Sequence, residues 1–293
     1  MLDTLESKIR HIQVYSNKIV DELLAGEYHS VFKGHGMEFN EVREYEHGDE
    51  IRTINWQITA RVGKPFVKRY VEERELTLFF LVDLSGSGSF GSGKKSKNEV
   101  AAELCALLAF SAIKNSDKVG LIIFTDRIEH IVPPGRGKQH VLRIIRELLS
   151  FQSPGAGTDI RQALDYFGHL HAKKSVAFIV SDFQDEGFED AMSLISKRHD
   201  LIAVSISDPA ERSLPAAGLL TLRDPETDEM VVIDTSSARV RRRFEEAAAV
   251  RRARLSDILV RRNVDEIAIS VEKDLVSELI RFFKTRERRG QHG

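Results

Sequence analysis

Asp83-Leu84-Ser85-Gly86-Ser87 sets a carboxylate and two hydroxyls at alternate positions, directly after the apolar run Leu78-Phe79-Phe80-Leu81-Val82. In an extended turn alternate side chains point the same way, and Gly86 lets the backbone bend between the two serines. Thr158-Asp159, in the loop with Gly155-Ala156-Gly157, and Ser181-Asp182, after the apolar run 176–180, occupy loop positions of the same kind. Asp83, Ser85, Ser87, Thr158 and Asp182 together offer two carboxylates and three hydroxyls, with no His or Cys. An all-oxygen set of low charge suits a small hard cation that keeps some of its waters: Mg²⁺ first, with Mn²⁺ or Ca²⁺ as alternatives. Taken singly, each of these residues could instead cap the helix that starts beside it. Their recurrence at three strand ends is what favours a metal site.

Other chemistries fit the same region less well. Gly86-x-Gly88-x-x-Gly91 has dinucleotide-fingerprint spacing, but the acidic residue expected at the end of the second strand is not in place, and Lys94-Lys95-Ser96-Lys97 separates the glycines from the next helix. Gly88-Ser89-Phe90-Gly91-Ser92-Gly93-Lys94 reads G-x-x-x-x-G-K, yet Lys95 stands where a phosphate-cradling loop needs Ser or Thr to hold Mg²⁺. That loop remains the competing reading, a nucleotide-dependent ATPase or phosphotransferase. Ser85 lacks the G-x-S-x-G elbow of a hydrolase, because Asp83 occupies the first glycine position. His169-Leu170-His171 reads as a solvated helix end.

These residues need a scaffold that brings strand ends together. Four apolar runs (78–82, 119–124, 176–180 and 201–204) end in a hydroxyl or an acid, and none alternates with polar residues. Continuous apolarity is what strands buried on both faces of a parallel sheet require. Amphipathic stretches at 97–115, 139–150, 160–171 and 188–198 separate the runs, which predicts a doubly wound, mostly parallel α/β domain over 76–210. Ligands of such sheets bind outside the carboxyl ends of the strands, where the candidate residues lie. Residues 1–75 read as an N-terminal helix followed by a Gly-rich strand and loop extension, including Gly34, Gly36, Gly48 and Gly63. Residues 211–293 read as a β-hairpin around a turn with Pro225, an Arg/Ala helix at 236–262, a last strand at 267–271 and a closing helix, together completing the α/β domain.

The 293 residues carry 43 Lys and Arg against 45 Asp and Glu, a net charge of −2 that excludes a bulk polybasic binder of nucleic acid or membrane. Hydrophobic residues at 42% and charged residues at 30% fit a folded, water-soluble chain. Cys105 is the single cysteine, so neither a disulfide framework nor a Cys-based zinc cluster is available. Residues 1–10 alternate charged with apolar side chains, unlike a signal peptide or anchor, and a cytoplasmic location is expected. The arginines at 239–243 and 251–254 are interleaved with Glu245, Glu246 and Asp257, which predicts a solvated or internally paired helix face.

Asp83-x-Ser85-x-Ser87, Thr158 after glycines and the Ser181-Asp182 strand end resemble the metal-ion-dependent adhesion site of von Willebrand factor A domains. The resemblance implies that Ser85, Ser87 and Thr158 coordinate the ion, that Asp83 and Asp182 act largely through bound water, and that a partner protein's carboxylate completes the shell. A second stretch, Gly36-Met37-Glu38-Phe39, Val42-Arg43-Glu44-Tyr45, Gly48-Asp49, Arg52, Ile54-Asn55-Trp56 and Ala60-Arg61, resembles the bacterial family known as domain of unknown function 58. Asn55 departs from that family's usual Asp, and Gly88-Ser89-Phe90 replaces a typical Met after the second serine. The family resemblance implies a non-enzymatic interaction module working with a MoxR-type AAA+ ATPase in protein maturation or assembly. Arg43, Asp49, Arg52, Trp56 and Arg61 are framework or partner-binding candidates. In the framework reading Trp56 anchors the segment while Asp49 pairs with Arg52 or Arg61.

Overall fold

The computed structural model describes residues 2–32, 37–72, 76–93, 95–152, 157–170, 173–223 and 229–290. Gly34, Gly36, Lys94, Gly155, Ala156, His171 and the turn around Pro225 lie outside them. The chain forms two compact units, one of residues 1–31 with 77–293 and one of residues 32–76. In chain order the elements are α1 (Leu2–Ile19), a π-helical turn (Val20–Leu24), α2 (Ala25–Val31), β1 (Met37–Glu44), α3 (Trp56–Val62), β2 (Phe66–Glu72), β3 (Thr77–Asp83), α4 (Lys97–Lys114), β4 (Lys118–Phe124), β5 (Ile128–Gly135), α5 (Lys138–Ser150) and α6 (Ile160–Leu170). There follow β6 (Val176–Ser181), α7 (Glu189–Ser196), β7 (Asp200–Ser207), β8 (Leu219–Arg223), β9 (Met230–Asp234), α8 (Ala238–Arg261), β10 (Asp265–Ser270) and α9 (Leu275–Gly290).

The central sheet has six strands in the order β10-β7-β6-β3-β4-β5, parallel except for the β4–β5 pair. The four apolar runs are β3, β4, β6 and β7, and their residues are almost wholly buried, as two-faced packing requires. Phe79, Leu81, Ile122, Ala177 and Ile179 pack on one face with Phe167 of α6, Met192 of α7 and Leu255 of α8. Cys105 is fully buried in α4, and burial holds its thiol above the usual range. From β3 the chain builds outward first to β4 and β5, then returns to β6 and continues to β7 and β10. The carboxyl end of β3 therefore lies at the reversal of strand order, where open α/β sheets leave a crevice.

α1 and α2 belong to the sheet unit rather than to the segment that follows them. Ile12, Ser16, Val20, Leu24 and Tyr28 are buried at steps of four residues. That period exceeds the ~3.6 residues of an α-helical turn, and the π turn at Val20–Leu24 absorbs the excess. Leu23 is 48% exposed, because the π turn rotates it out and brings in Val20.

The β8–β9 hairpin pairs Leu219 with Asp234 through Arg223 with Met230. Thr235 closes its base by hydrogen bonds from its N–H and hydroxyl to the Gly218 carbonyl (both 2.7 Å). Arg241 of α8 then donates to the Thr235 carbonyl (2.7 Å), tying helix to hairpin. Of the 24 residues of α8 only Leu255 and Leu259 are buried. The expected pairing of its arginines appears in Arg242–Glu246 (2.9 Å), Arg252–Glu266, Arg254–Glu186 and Arg262–Asp190 (3.4 Å). No helix among the described residues is long and apolar enough to cross a membrane.

In the 32–76 unit, β1 and β2 pair antiparallel with a bulge between Phe39 and Glu41. Asn55 caps α3 by accepting from the Ile58 N–H (3.4 Å), a role that Asp fills equally well, so the family departure there keeps its local function. Gly63 ends α3 in the left-handed conformation (φ 74°).

Candidate functional site

Asp83 is the last residue of β3 and 8% exposed. One carboxylate oxygen accepts the Ser85 N–H (3.0 Å) and so closes the turn after the strand. The other accepts the Ser181 hydroxyl (2.7 Å) from the end of β6. The Leu84 N–H donates to the Phe124 carbonyl (3.0 Å), extending the β3–β4 pairing one step into the loop. A short 3₁₀ turn, Gly86–Ser89, follows and carries Ser87 back toward Ser85, with their hydroxyls 3.1 Å apart. The Thr158 hydroxyl lies 2.9 Å from that of Ser85 and 3.4 Å from Asp83. Thr158 is placed by its neighbour, since the Asp159 N–H donates to the Thr125 carbonyl at the end of β4 (2.9 Å). Asp83, Ser85, Ser87, Thr158 and Ser181 thus form one connected cluster.

Asp159 itself caps α6, accepting the Gln162 N–H (2.8 Å), while Asp185 accepts the Ile160 N–H (2.8 Å). For Asp159 the capping alternative holds.

Asp182 stands beside the cluster and faces another partner. One of its oxygens pairs with the Lys97 ammonium at 2.6 Å, and the same ammonium pairs with Glu211 at 2.6 Å. The other accepts the Gln184 N–H (3.1 Å). Burial pushes the Lys97 ammonium down, but the charges of Asp182 and Glu211 outweigh it and hold it above the usual lysine range. Burial holds the Asp83 carboxyl above its usual range and the Asp182 charge adds to this, against the hydrogen bonds from Ser181 and Ser85. Neither Lys97 nor Glu211 was among the sequence candidates. One signal was legible for Lys97: it is the first residue of α4, right after the Ser96 cap, where the helix dipole disfavours a cation.

A cavity of about 20 Å³ lies between Asp83, Ser87, Lys97 and Asp182. It is just above the ~10–15 Å³ that one water-sized occupant needs. Among the described residues no group of three or more His, Cys, Asp or Glu is placed to share a metal. The hydroxyl-dominated set suits a hard cation in donor type; of its three hydroxyls only that of Ser87 lines the cavity, which Lys97 also faces. Asp182, bonded through both oxygens, fits a role through water.

The glycine loop is held from within. The Ser92 N–H and hydroxyl both donate to Asp208 (2.8 and 2.5 Å), the residue after β7. A side chain at Gly88 would collide with Asn98, which accounts for that glycine by packing. α4 begins at Lys97, after the Ser96–Glu99 capping box, and not directly behind the glycines. Burial raises the Asp208 carboxyl, but hydrogen bonds from Ser92 and Ala210 and the nearby Lys97 charge outweigh it and leave it below its usual range. A depressed carboxyl contributes stability above its ordinary value and loses it as pH falls through the depressed one. Asp208→Ala should therefore cost about 1 kcal/mol at neutral pH, and limited proteolysis should cut the 88–95 loop faster than in wild type. Equal cutting rates would show that the Ser92 contact does not hold the loop.

The signature residues of the 32–76 unit meet differently from the expectation. Asp49 pairs with Arg43 (2.6 Å), not with Arg52 or Arg61, which are both exposed. The Glu46 N–H (2.8 Å) and Arg43 lower the Asp49 carboxyl, the backbone bond more strongly. Arg43 is the nearer partner because the turn at 45–49 folds directly back on the end of β1. Trp56 is 66% exposed and so is not the buried anchor of its segment, and Ile51 (67%) and Val62 (55%) are also open to solvent.

Residues 41–254 match the family described as "Protein of unknown function DUF58". The chain is 26% identical over 287 residues to "Uncharacterized protein Rv1480" of Mycobacterium tuberculosis, covering 97% of this chain and 90% of that protein. It is 25% identical over 140 residues to "Uncharacterized protein YeaD" of Bacillus subtilis, covering 48% of this chain and 33% of that one. Among solved structures, BatB from Bacteroides thetaiotaomicron shares 14% identity at a TM-score of 0.47, with 73% of this chain and 99% of that chain covered. An aerotolerance-related membrane protein from Bacteroides fragilis shares 15% identity at a TM-score of 0.49, with the same 73% and 99% coverage. With β3 to β9 and the strand-end cluster inside the matched span, the chain belongs to the DUF58 family.

Proposed function

We propose that the chain is a Mg²⁺-dependent protein-interaction module of von Willebrand factor A type, and not an enzyme. The observation that carries this reading is the gathering of the Ser87 and Thr158 hydroxyls around that of Ser85, beside Asp83 at the reversal point of the sheet. Ser85, Ser87 and Thr158 would hold the ion, Asp83 and Asp182 would act through water, and a partner's Asp or Glu would fill the open position. The bound ion supplies an electrophilic anchor for that carboxylate. The chain supplies a fixed hydroxyl cluster that needs little rearrangement to receive it. The partner class we propose is a MoxR-type AAA+ ATPase, met in the cytoplasm, with the pair maturing or assembling another protein. The commitment of Ser92 to Asp208 supports this reading over a phosphate-cradling loop.

A thermal-shift series with Mg²⁺, Mn²⁺, Ca²⁺, EDTA and Mg²⁺-ATP tests the proposal. Mg²⁺ at a hundred times its dissociation constant should stabilise the full chain by about 2.7 kcal/mol, with no phosphate release from ATP. A melting temperature indifferent to every cation, or steady ATP turnover, would refute it.

A further inference from the structure

A second concavity opens beside Asp182, between α8 and the carboxyl ends of β6 and β7, with a volume of about 280 Å³. That is near the lower end of the ~300–1,000 Å³ typical of ligand pockets, room for one or two side chains of a short segment. Ala248, Arg251, Arg252, Leu255 and Ile258 recur at helical spacing and form one wall. Phe188 and Leu255, both buried, supply an apolar floor. Asp182 and Ile206 line both this groove and the small cavity of the hydroxyl cluster, so the two adjoin.

The charges around the groove are mostly spent. Lys97 takes Asp182 and Glu211, and Arg254 takes Glu186. Arg252 forms a two-pronged pair with Glu266, and Asp185 accepts two backbone N–H groups. What remains is cationic: among the described residues Arg251 has no acidic partner, and the Arg212 guanidinium donates only to the Ser207 hydroxyl. Two free guanidinium groups above an apolar floor match a carboxylate next to an aliphatic side chain. A long polyanion such as nucleic acid would also meet Asp182, Asp185, Glu186 and Glu211 on the same walls, and two guanidinium groups are too few to hold it against them.

We propose that this groove takes a short acidic segment of the protein partner. Its aliphatic side chain rests on Phe188 and Leu255, and its carboxylate meets Arg251 and Arg212. The proposal deepens the metal-site reading and rests on it for a first carboxylate at the ion; the groove reads a second one.

Selection from a displayed random heptapeptide library on the full-length protein in Mg²⁺ tests this. Wild type should enrich peptides with two acids beside an aliphatic residue. The resynthesised winner, followed by fluorescence anisotropy, should bind at least about tenfold more weakly to Arg251→Glu and to Ala248→Trp, which fills the groove without changing charge. Winners without acidic residues, no binders at all, or equal affinity for all three proteins would overturn the proposal. Asp83→Asn separates the two readings. Binding that survives Asp83→Asn and falls in Arg251→Glu keeps the groove and removes the ion. Binding lost in Asp83→Asn and unchanged in Arg251→Glu does the reverse.

Discussion

Lys97→Met should destabilise the metal-free chain by about 3–5 kcal/mol, the usual result of removing one partner from a buried ion pair. The Lys97 side chain is 4% exposed and that of Asp182 5%, so solvent screens little of the interaction. The substitution leaves the Asp182 carboxylate buried without its counter-charge, and Glu211 with only the Asp208 N–H (2.9 Å) and a long contact from Gln184 (3.4 Å). It should also strengthen Mg²⁺ binding, because the two carboxylates then add negative potential beside the cluster. Since the ammonium is held above the ordinary lysine value, its contribution is complete at neutral pH and fades only as pH climbs through that raised value. Urea unfolding in EDTA reads the first effect and calorimetric Mg²⁺ titration the second. Adding Asp182→Asn should recover much of the loss, with a coupling of about 1–3 kcal/mol in the double-mutant cycle. A single-mutant cost below about 1 kcal/mol would mean that the pair behaves as a surface bridge.

Asp83→Asn should leave the metal-free chain as stable as wild type, or more so, and abolish its response to Mg²⁺. Burial, aided by the Asp182 charge, raises the Asp83 carboxyl above its usual range. A carboxyl with a raised folded-state value binds more protons in the native chain than in the unfolded one. Stability therefore falls as pH rises from the ordinary carboxylate value through the raised one. Asparagine cannot ionise, yet keeps an oxygen for the Ser85 N–H, so the variant escapes that decline. Melting curves between pH 4 and 8, with EDTA or Mg²⁺, check both halves. The about 2.7 kcal/mol expected of wild type at a hundredfold excess over the dissociation constant should vanish. A variant that fails to fold, or still responds to Mg²⁺, would make Asp83 a purely structural clamp between Ser85 and Ser181.

Sequence pattern reached the parts of the molecule that rest on local physics. β3, β4, β6 and β7 were legible because strands buried on both faces must be apolar at every position. β5 was not: Ile128-Glu129-His130-Ile131 is only partly buried, and Pro133-Pro134 reads as a break unless the strand lies on an edge, where β5 does lie. Asp83, Ser85 and Ser87 were legible from spacing within one turn; Thr158 reads in the sequence as a third strand end, but it lies between α5 and α6 and reaches the cluster from the helix side. Glu211 was out of reach, since its contact with Lys97 spans 114 positions and depends on which strand ends adjoin. The Asp49 pairing failed for the opposite reason. It is local, but the choice among Arg43, Arg52 and Arg61 turns on how a five-residue turn folds back, which spacing does not specify.

The anchoring of α8 has a mechanical consequence. Its 24 residues make a rod of about 36 Å, held by Leu255 and Leu259 near one end and carrying the hairpin through Thr235 and Arg241 at the other. Such a rod is a lever with a short load arm and a long effort arm. A tilt of about 10° at the pivot would move the hairpin end by roughly 5 Å, about the rise of three helical residues. Because the same helix forms a wall of the groove beside Asp182, a tilt of the rod would change the width of that groove. Leu219, Met230 and Val232, all exposed, would then be the handle of a clamp whose jaw lies about 20 Å along the rod.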